Sequence, residues 1–151
     1  SVTLVNERVY SRFYDDRWER AFLHSHSFTG NPIACRAALT VFALFDSLKQ
    51  LDLNRRQANV LTMLAAPIVK LPYVRHFRQL GMIWAFDVDT ADPEFSGHLA
   101  REALSRGVLL RPIGNTVYWM PPYVITEEEM CFLATQTCSA LIAVMEKRAP
   151  D

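Results

Sequence analysis

The sequence lacks a net charge and lacks a long apolar run. Lysine and arginine together number 16, and so do aspartate and glutamate. With this balance, no excess charge attracts the chain to nucleic acid or to an anionic membrane. The longest apolar stretch, near residues 37–45, is much shorter than the roughly 20 residues that cross a bilayer, and the N-terminus shows no signal-peptide pattern. The sequence therefore predicts a protein that binds neither nucleic acid nor membrane.

Cysteine is also scarce, with three in 151 residues. This odd number, in a chain long enough to bury a sizeable core, argues against a disulfide framework. Cys131 and Cys138 fall on one predicted helix with about 10 Å of rise between them, beyond the roughly 7 Å that a disulfide can bridge. Cys35 falls in an apolar helix and is expected to be a buried small hydrophobe. The cysteines predict a reducing, cytoplasmic location.

An initiating methionine, internal repeats, low-complexity tracts and long linkers are all missing. The length fits one ordinary domain, or a domain plus part of another. The chain begins with Ser1, in a stretch whose residues 2–5 alternate like the end of a strand. We therefore expect a piece of a longer protein.

Periodicity and cap signals predict five helices, near residues 7–14, 32–49, 54–66 and 93–106 and from Thr126 onward. Asn31-Pro32 and Asp92-Pro93 each place a favoured N-cap residue before a proline. Thr126 and Glu129 have the spacing of a capping box. The helix at 32–49 is apolar on nearly every side, which predicts that it is buried.

The remaining pattern predicts strands. Apolar residues recur at every second position from 82 to 88, which is typical of a half-buried strand, and Gly81 is expected to divide the stretch 74–89 in two. Residues 108–111 and 116–120, on either side of a turn, predict a hairpin. The predicted fold class is α/β, with helices flanking a small, largely antiparallel sheet.

The stretch His24 to Pro32, "HSHSFTGNP", combines two histidines and three hydroxyls ahead of a helix start. Two histidines are too few for a zinc site, which needs three or four ligands, so we expect no metal. The hydroxyls, the glycine and the helix N-terminus would suit a phosphate. Alternatively, these residues only cap the long helix, and spacing alone favours this second interpretation.

Two motifs carry a resemblance to a known family. "SFTGNPIACRAAL" is similar to a segment of class III, pyridoxal-phosphate-dependent aminotransferases. "LLRPIGNTVYWMPPYVIT" resembles the C-terminal signature of a branch that acts on S-adenosylmethionine and 8-amino-7-oxononanoate. The resemblance implies fold type I: residues 1–50 would end the large pyridoxal-phosphate-binding domain and include the crossing helix. Residues 51–151 would form the small C-terminal α/β domain, with a mainly antiparallel sheet.

The same resemblance implies roles for the first motif. The hydroxyl matching Ser27 would bind the phosphate of pyridoxal 5'-phosphate, His26 would add a backbone contact, and Ser25 would touch the substrate. In this family the phosphate contact reaches across a homodimer interface into the neighbouring subunit's site, so a homodimer is expected.

Arg111 is the main candidate for substrate binding. It ends a predicted strand beside a tight turn in apolar surroundings, where a guanidinium can hold a carboxylate through two parallel hydrogen bonds. The alternative is a surface arginine at a hairpin tip, and spacing alone leaves the two equal. The resemblance favours the substrate role and adds Tyr118 as an aromatic residue beside the substrate.

The chain contains only Lys49, Lys70 and Lys147, and none has the family's context for the lysine that forms a Schiff base with the cofactor. We expect the catalytic lysine to lie upstream of Ser1. We therefore expect this chain alone to be inactive. Two other functions remain open. One is a class III aminotransferase for amines or ω-amino acids, and the other is a non-catalytic binding or dimerisation domain.

Overall fold

The computed structural model describes residues 1–147. The order of elements is α1 (Glu7–Phe13), a 3-10 turn (Trp18–Arg20), α2 (Pro32–Ser47), α3 (Gln50–Leu64), α4 (Ala66–Val69), β1 (Val74–Leu80), β2 (Ile83–Val88), α5 (Phe95–Ser105), β3 (Thr116–Trp119) and α6 (Glu127–Glu146). The chain divides into two compact units, Ser1–Ala43 and a second that begins at Leu44. In the described part, no helix is both long enough and apolar enough to cross a membrane.

The first unit consists of α1, the 3-10 turn, most of α2 and the loops between them. The Asn6 side chain caps α1 by accepting from the N–H of Val9 at 3.1 Å. The Asn31 side chain caps α2 by accepting from the N–H groups of Ile33 and Ala34. The expected strand end at 2–5 was wrong, because these residues have no regular secondary structure.

The prediction that the long helix is buried was also wrong. No residue of α2 is buried, and Cys35, expected inside, is exposed. Apolar composition indicates a surface that another part of a protein can cover, but burial requires that cover to lie among the described residues. All three cysteines are free thiols, and partial burial raises the pKa of Cys138.

The second unit is built on a three-stranded antiparallel sheet in the order β1-β2-β3. The predicted division at Gly81 is confirmed, since β1 and β2 form a hairpin there and Gly81 has the left-handed φ of 57°. The helix predicted at 54–66 begins earlier, at Gln50, and ends at Leu64, and Pro67 lies within the short α4 that follows.

Alternation along β2 and β3 places one face of the sheet in the core. Trp84, Phe86 and Val88 are buried as predicted, and Val117 and Trp119 join them from β3. The indole N–H of Trp84 donates to Thr62 of α3 at 2.9 Å, and that of Trp119 donates to Thr137 of α6 at 3.2 Å. These bonds satisfy the buried indoles and fix the two helices against the sheet.

The helices complete the core from one side of the sheet. Helix α6 packs against both α3 and α5, and it begins with the predicted capping box between Thr126 and Glu129. The helices contribute the buried residues Ala58, Leu61, Phe95, Leu99, Ala103, Met130, Ala134, Thr137, Ala140, Leu141 and Val144.

Two leucines of α3 should differ in how much they contribute to the stability of the fold. Leu61 is fully buried, whereas Leu51 is 60% exposed. We expect Leu61→Ala to lower the free energy of unfolding by about 2–5 kcal/mol, because it removes apolar contacts and leaves a cavity. Leu51→Ala is the control and should change it by less than about 0.5 kcal/mol. Denaturant unfolding followed by tryptophan fluorescence measures both free energies, and equal losses would contradict the burial of Leu61 in the core.

Candidate functional site

The loop before α2 is closed on itself by Thr29. The N–H of His26 donates to Thr29 Oγ1 at 3.0 Å, and the N–H of Thr29 donates to the carbonyl of His26 at 2.9 Å. The His26 ring stacks on Phe28, with centroids 4.9 Å apart. Within residues 1–147, the hydroxyls of Ser25 and Ser27 are in no hydrogen bond.

This geometry bears on the two interpretations of the histidine and hydroxyl stretch. Asn31 caps the helix and Thr29 closes the turn, so Ser25 and Ser27 have no capping role. Their hydroxyls are exposed and able to bond an external acceptor or donor. His26, Thr29 and Gly30 also line a cleft of about 550 Å³ on the first unit. Among the described residues, no group of three or more potential metal ligands is present.

Arg111 and Tyr118 lie together in a groove on the second unit. The groove has a volume of about 500 Å³, and its walls are formed largely by apolar residues, among them Leu109, Met120, Pro122, Phe132 and Leu133. In the described part of the chain, no hydrogen bond or ion pair engages the Arg111 guanidinium. An unpaired guanidinium beside apolar walls is suited to a ligand with a carboxylate and a hydrocarbon chain.

The segment that carries Arg111 is not a strand, and the predicted hairpin of 108–111 with 116–120 was wrong. It has no regular secondary structure, with Val108 and Leu110 buried and Leu109 and Arg111 exposed. Only an isolated bridge between Ile113 and Thr116 links it to β3. Its alternation resembles that of a strand because the two buried residues anchor it to the core, without the ladder of hydrogen bonds that defines a sheet.

Asp87 was missed by the sequence analysis, although it organises the turn after Arg111. Its carboxylate accepts from Thr116 Oγ1 at 2.8 Å and from two nitrogens of Arg78 at 3.2 Å, and His76 Nδ1 lies 3.1 Å away. The hydrogen bonds from Arg78 and then Thr116 hold the pKa of Asp87 below its ordinary value of 3.8. Aspartate is disfavoured in strands, so its position on the polar face of a predicted strand was an available signal.

A β-bulge in β1 brings Arg78 to Asp87. Arg75 pairs with Asp87, but Arg78 pairs with Ala85, so one extra residue lies between these two pairs. Without the extra residue, Phe77 would lie opposite Ala85, and Arg78 would be one position further, on the other face of the sheet. His76, within the bulge, has a positive φ of 50°, a left-handed conformation that residues other than glycine seldom adopt.

A second residue missed by the sequence analysis contacts the segment before α6, which contributes Ile125 to the groove. The side-chain amide of Gln57 on α3 donates to the carbonyls of Tyr123 and Ile125, at 3.1 and 2.9 Å. Glu129 also lines the groove. The N–H of Thr126 donates to its carboxylate at 2.8 Å and lowers its pKa, so Glu129 is held by the capping box.

The five predicted site residues fall into two sets, one in each unit. Ser25, His26 and Ser27 lie in the first unit, whereas Arg111 and Tyr118 share the groove of the second. Of the three lysines, Lys147 is paired with Glu102 at 3.2 Å, and Lys49 and Lys70 are exposed. None of the three lines the groove.

Comparison with known proteins identifies the family. The model for "Aminotransferase class-III" matches residues 1–141. The chain belongs to the class-III aminotransferase family.

Within this family, the chain is similar to curated relatives that share one name. The adenosylmethionine-8-amino-7-oxononanoate aminotransferase of Helicobacter pylori is 38% identical over 136 residues, which cover 86% of this chain and 31% of the relative. The enzyme of the same name from Nitratidesulfovibrio vulgaris is 35% identical, over 99% of this chain and 29% of the relative. The chain thus spans about a third of the length of these relatives.

Solved structures agree on the fold. The adenosylmethionine-8-amino-7-oxononanoate aminotransferase of Methanocaldococcus jannaschii superimposes with a TM-score of 0.78 at 23% identity, over 89% of this chain and 33% of that one. A PLP-bound aminotransferase mutant from Vibrio fluvialis gives 0.76 at 23% identity, over 87% and 31%. The predicted α/β fold of a class III transaminase is confirmed.

The Asp87 cluster predicts a pH-dependent contribution to stability. The folded state lowers the pKa of Asp87. The Asp87 carboxylate therefore stabilises the folded state at pH values above its ordinary pKa, and this stabilisation is lost as the pH falls through the folded-state pKa. We expect the Asp87→Asn variant to have a lower free energy of unfolding than the unmodified chain at pH 7. The difference between the two free energies should shrink below pH 3.8. Asp89→Asn, at an exposed neighbour, is the control. Denaturant titrations from pH 7 to pH 2 measure this, and a pH-independent difference would contradict it.

Proposed function

We propose that this chain is the C-terminal part of an aminotransferase that moves an amino group from S-adenosylmethionine to 8-amino-7-oxononanoate. The product is 7,8-diaminononanoate, in biotin biosynthesis. Family membership supports the aminotransferase activity, and the printed names of the relatives support the two substrates. The observation that carries the proposal is the unpaired Arg111 beside Tyr118 in a largely apolar groove.

The groove's chemistry suits the proposed acceptor. 8-Amino-7-oxononanoate carries a carboxylate at the end of an apolar chain. Arg111 would hold the carboxylate through two charge-assisted hydrogen bonds, the hydrocarbon chain would lie on apolar walls such as Leu109 and Phe132, and Tyr118 would stack against or hydrogen-bond the substrate. Excluding water from this groove would strengthen the ionic contact.

We further propose pyridoxal 5'-phosphate as the cofactor. When bound, it supplies the electron sink that aminotransfer requires. The exposed Ser27 hydroxyl would hold the phosphate, and Ser25 would touch the substrate. His26 would add its backbone contact by sharing the N–H that now donates to Thr29. Because Asn31 already occupies the first N–H groups of α2, the loop hydroxyls are better placed to bind the phosphate than the helix terminus itself.

The assembly and location are part of the same proposal. The protein would be a cytoplasmic homodimer in which the Ser27 loop of one subunit contributes to the site of the other. Residues 1–50 would belong to the large domain and the crossing helix, and residues 51–151 would form the small domain. The exposed apolar side chains of α2, including Ile33, Leu39 and Phe42, support a covered surface in the assembled protein.

The proposal predicts that the 151-residue chain alone does not bind the cofactor covalently at one lysine. Lys147 is engaged by Glu102, and Lys49 and Lys70 are exposed side chains outside the groove. Incubation with pyridoxal phosphate, reduction with borohydride and peptide mapping should give only sub-stoichiometric labelling spread over surface lysines. One label per chain at a single lysine, together with turnover, would contradict this.

The proposal also predicts a substrate-specific effect of Arg111 in the full-length enzyme. Arg111→Ala should lower kcat/KM for 8-amino-7-oxononanoate about 10- to 150-fold, the equivalent of a charge-assisted contact of about 1.5–3 kcal/mol. Arg111→Lys should recover only part of this loss, because an ammonium group cannot reproduce the planar fork. The rate of the half-reaction with S-adenosylmethionine should fall less. Cofactor absorbance in single-turnover mixing measures the two half-reactions separately.

Arg56→Ala is the matched control, since Arg56 is an exposed arginine outside the groove, and it should leave both half-reactions unchanged. Equal losses in both halves for Arg111→Ala would point to a structural role instead. A full-length enzyme that prefers simple amines or ω-amino acids in a substrate screen would favour another class III activity.

A further inference from the structure

The turn that follows Arg111 is tied to the sheet at Thr116. The N–H of Ile113 donates to the carbonyl of Thr116 at 2.9 Å, and the N–H of Thr116 donates back to the carbonyl of Ile113 at 3.0 Å. Arg111 is separated from Ile113 only by Pro112, whose ring fixes its own φ. The position of the Arg111 backbone is therefore set from two sides, by the buried Leu110 before it and by the turn that ends at Thr116.

Asp87 holds Thr116 through both backbone pairing and a side-chain hydrogen bond. The two residues are paired in the β2–β3 ladder, and the Thr116 hydroxyl donates to Asp87 Oδ1 at 2.8 Å. The neighbouring Asn115 carbonyl accepts from the N–H of Val88 at 2.9 Å. The turn is thus fastened to the end of β2 by both backbone and side-chain hydrogen bonds.

Asp87 is itself held in place from β1. Arg78 donates two hydrogen bonds to its carboxylate and a third, at 2.9 Å, to the carbonyl of His76. The bulge brings this arginine onto the face of Asp87. Exposed ion pairs of this kind add little to stability, but they can fix a carboxylate in one orientation when several donors converge on it.

From this chain of contacts we infer that Asp87 and Thr116 are positioning residues, which orient the Arg111 guanidinium towards the substrate carboxylate. The inference rests on the proposed role of Arg111 and adds how that role is maintained. A two-bond contact with a carboxylate tolerates little displacement, because both N–H groups must point at their oxygens together. In this role Asp87 and Thr116 would not touch the substrate and would act through the turn.

The test uses the full-length enzyme with Thr116→Val and Thr116→Ser. Valine keeps the shape of threonine and loses the hydroxyl, whereas serine keeps the hydroxyl. We expect Thr116→Val to raise KM for 8-amino-7-oxononanoate about 3- to 10-fold, part of the full charge-assisted contact, with kcat and the S-adenosylmethionine half-reaction nearly unchanged. Thr116→Ser should restore the original KM. Calorimetric titration of the same acceptor should show matching changes in Kd.

A double-mutant cycle separates positioning from general structure. If Thr116 acts through Arg111, Thr116→Val should have no further effect on the acceptor's KM in an Arg111→Ala background. Glu102→Gln is the matched control, because Glu102 also holds an arginine and a lysine in the second unit but does not contact the turn. It should leave the acceptor's KM unchanged.

The outcomes distinguish the inference from the function on which it rests. An unchanged acceptor KM in Thr116→Val, or an effect of the same size in the Arg111→Ala background, would overturn the positioning role and leave that of Arg111 intact. An unchanged acceptor KM in Arg111→Ala would overturn both roles. A loss in Thr116→Val that Thr116→Ser does not restore would also overturn the positioning role, since it would not depend on the hydroxyl.

Discussion

Burial of one face of the three-stranded sheet is the constraint on which the second unit depends. Trp84 and Phe86 from β2 and Trp119 from β3 are almost completely buried, and removing large apolar side chains from water is the dominant favourable term in folding. Each indole N–H then needs a partner, which Thr62 and Thr137 supply. These two hydrogen bonds align α3 and α6 with the sheet.

The same constraint creates the polar face. Because side chains alternate along a strand, burying Phe86 and Val117 directs Asp87, Thr116 and Tyr118 to the opposite side. Asp87 and Thr116 meet there as a ladder pair, and the bulge adds Arg78. The groove with Arg111 lies where β3, residues 107–111 and α6 come together. The candidate site therefore follows from the packing of the core.

In the first unit, local hydrogen bonds determine the structure in place of a buried core. Asn31 caps α2 and Thr29 closes the preceding turn. These short-range contacts form without a surrounding core, and no residue of the unit is buried. They leave Ser25 and Ser27 exposed at the surface, as the proposed contact with a phosphate would require.

The sequence by itself determined what depends on near neighbours along the chain. The caps at Asn31 and Thr126, the division of the strands at Gly81 and the alternation around Trp84 were predicted because each arises from residues a few positions apart. The family resemblance, carried by contiguous motifs, likewise identified Arg111 and Tyr118 as candidates that the structure then brought into one groove.

Only the tertiary structure decided what depends on distant partners. The exposure of α2 could not be read from its composition, because apolar residues do not reveal whether a partner covers them. Residues 108–111 alternate like a strand, yet whether they pair depends on where β3 lies. The Asp87 cluster joins side chains up to 29 residues apart, and Arg78 belongs to it because a single-residue bulge turns this arginine to the face that the core leaves open.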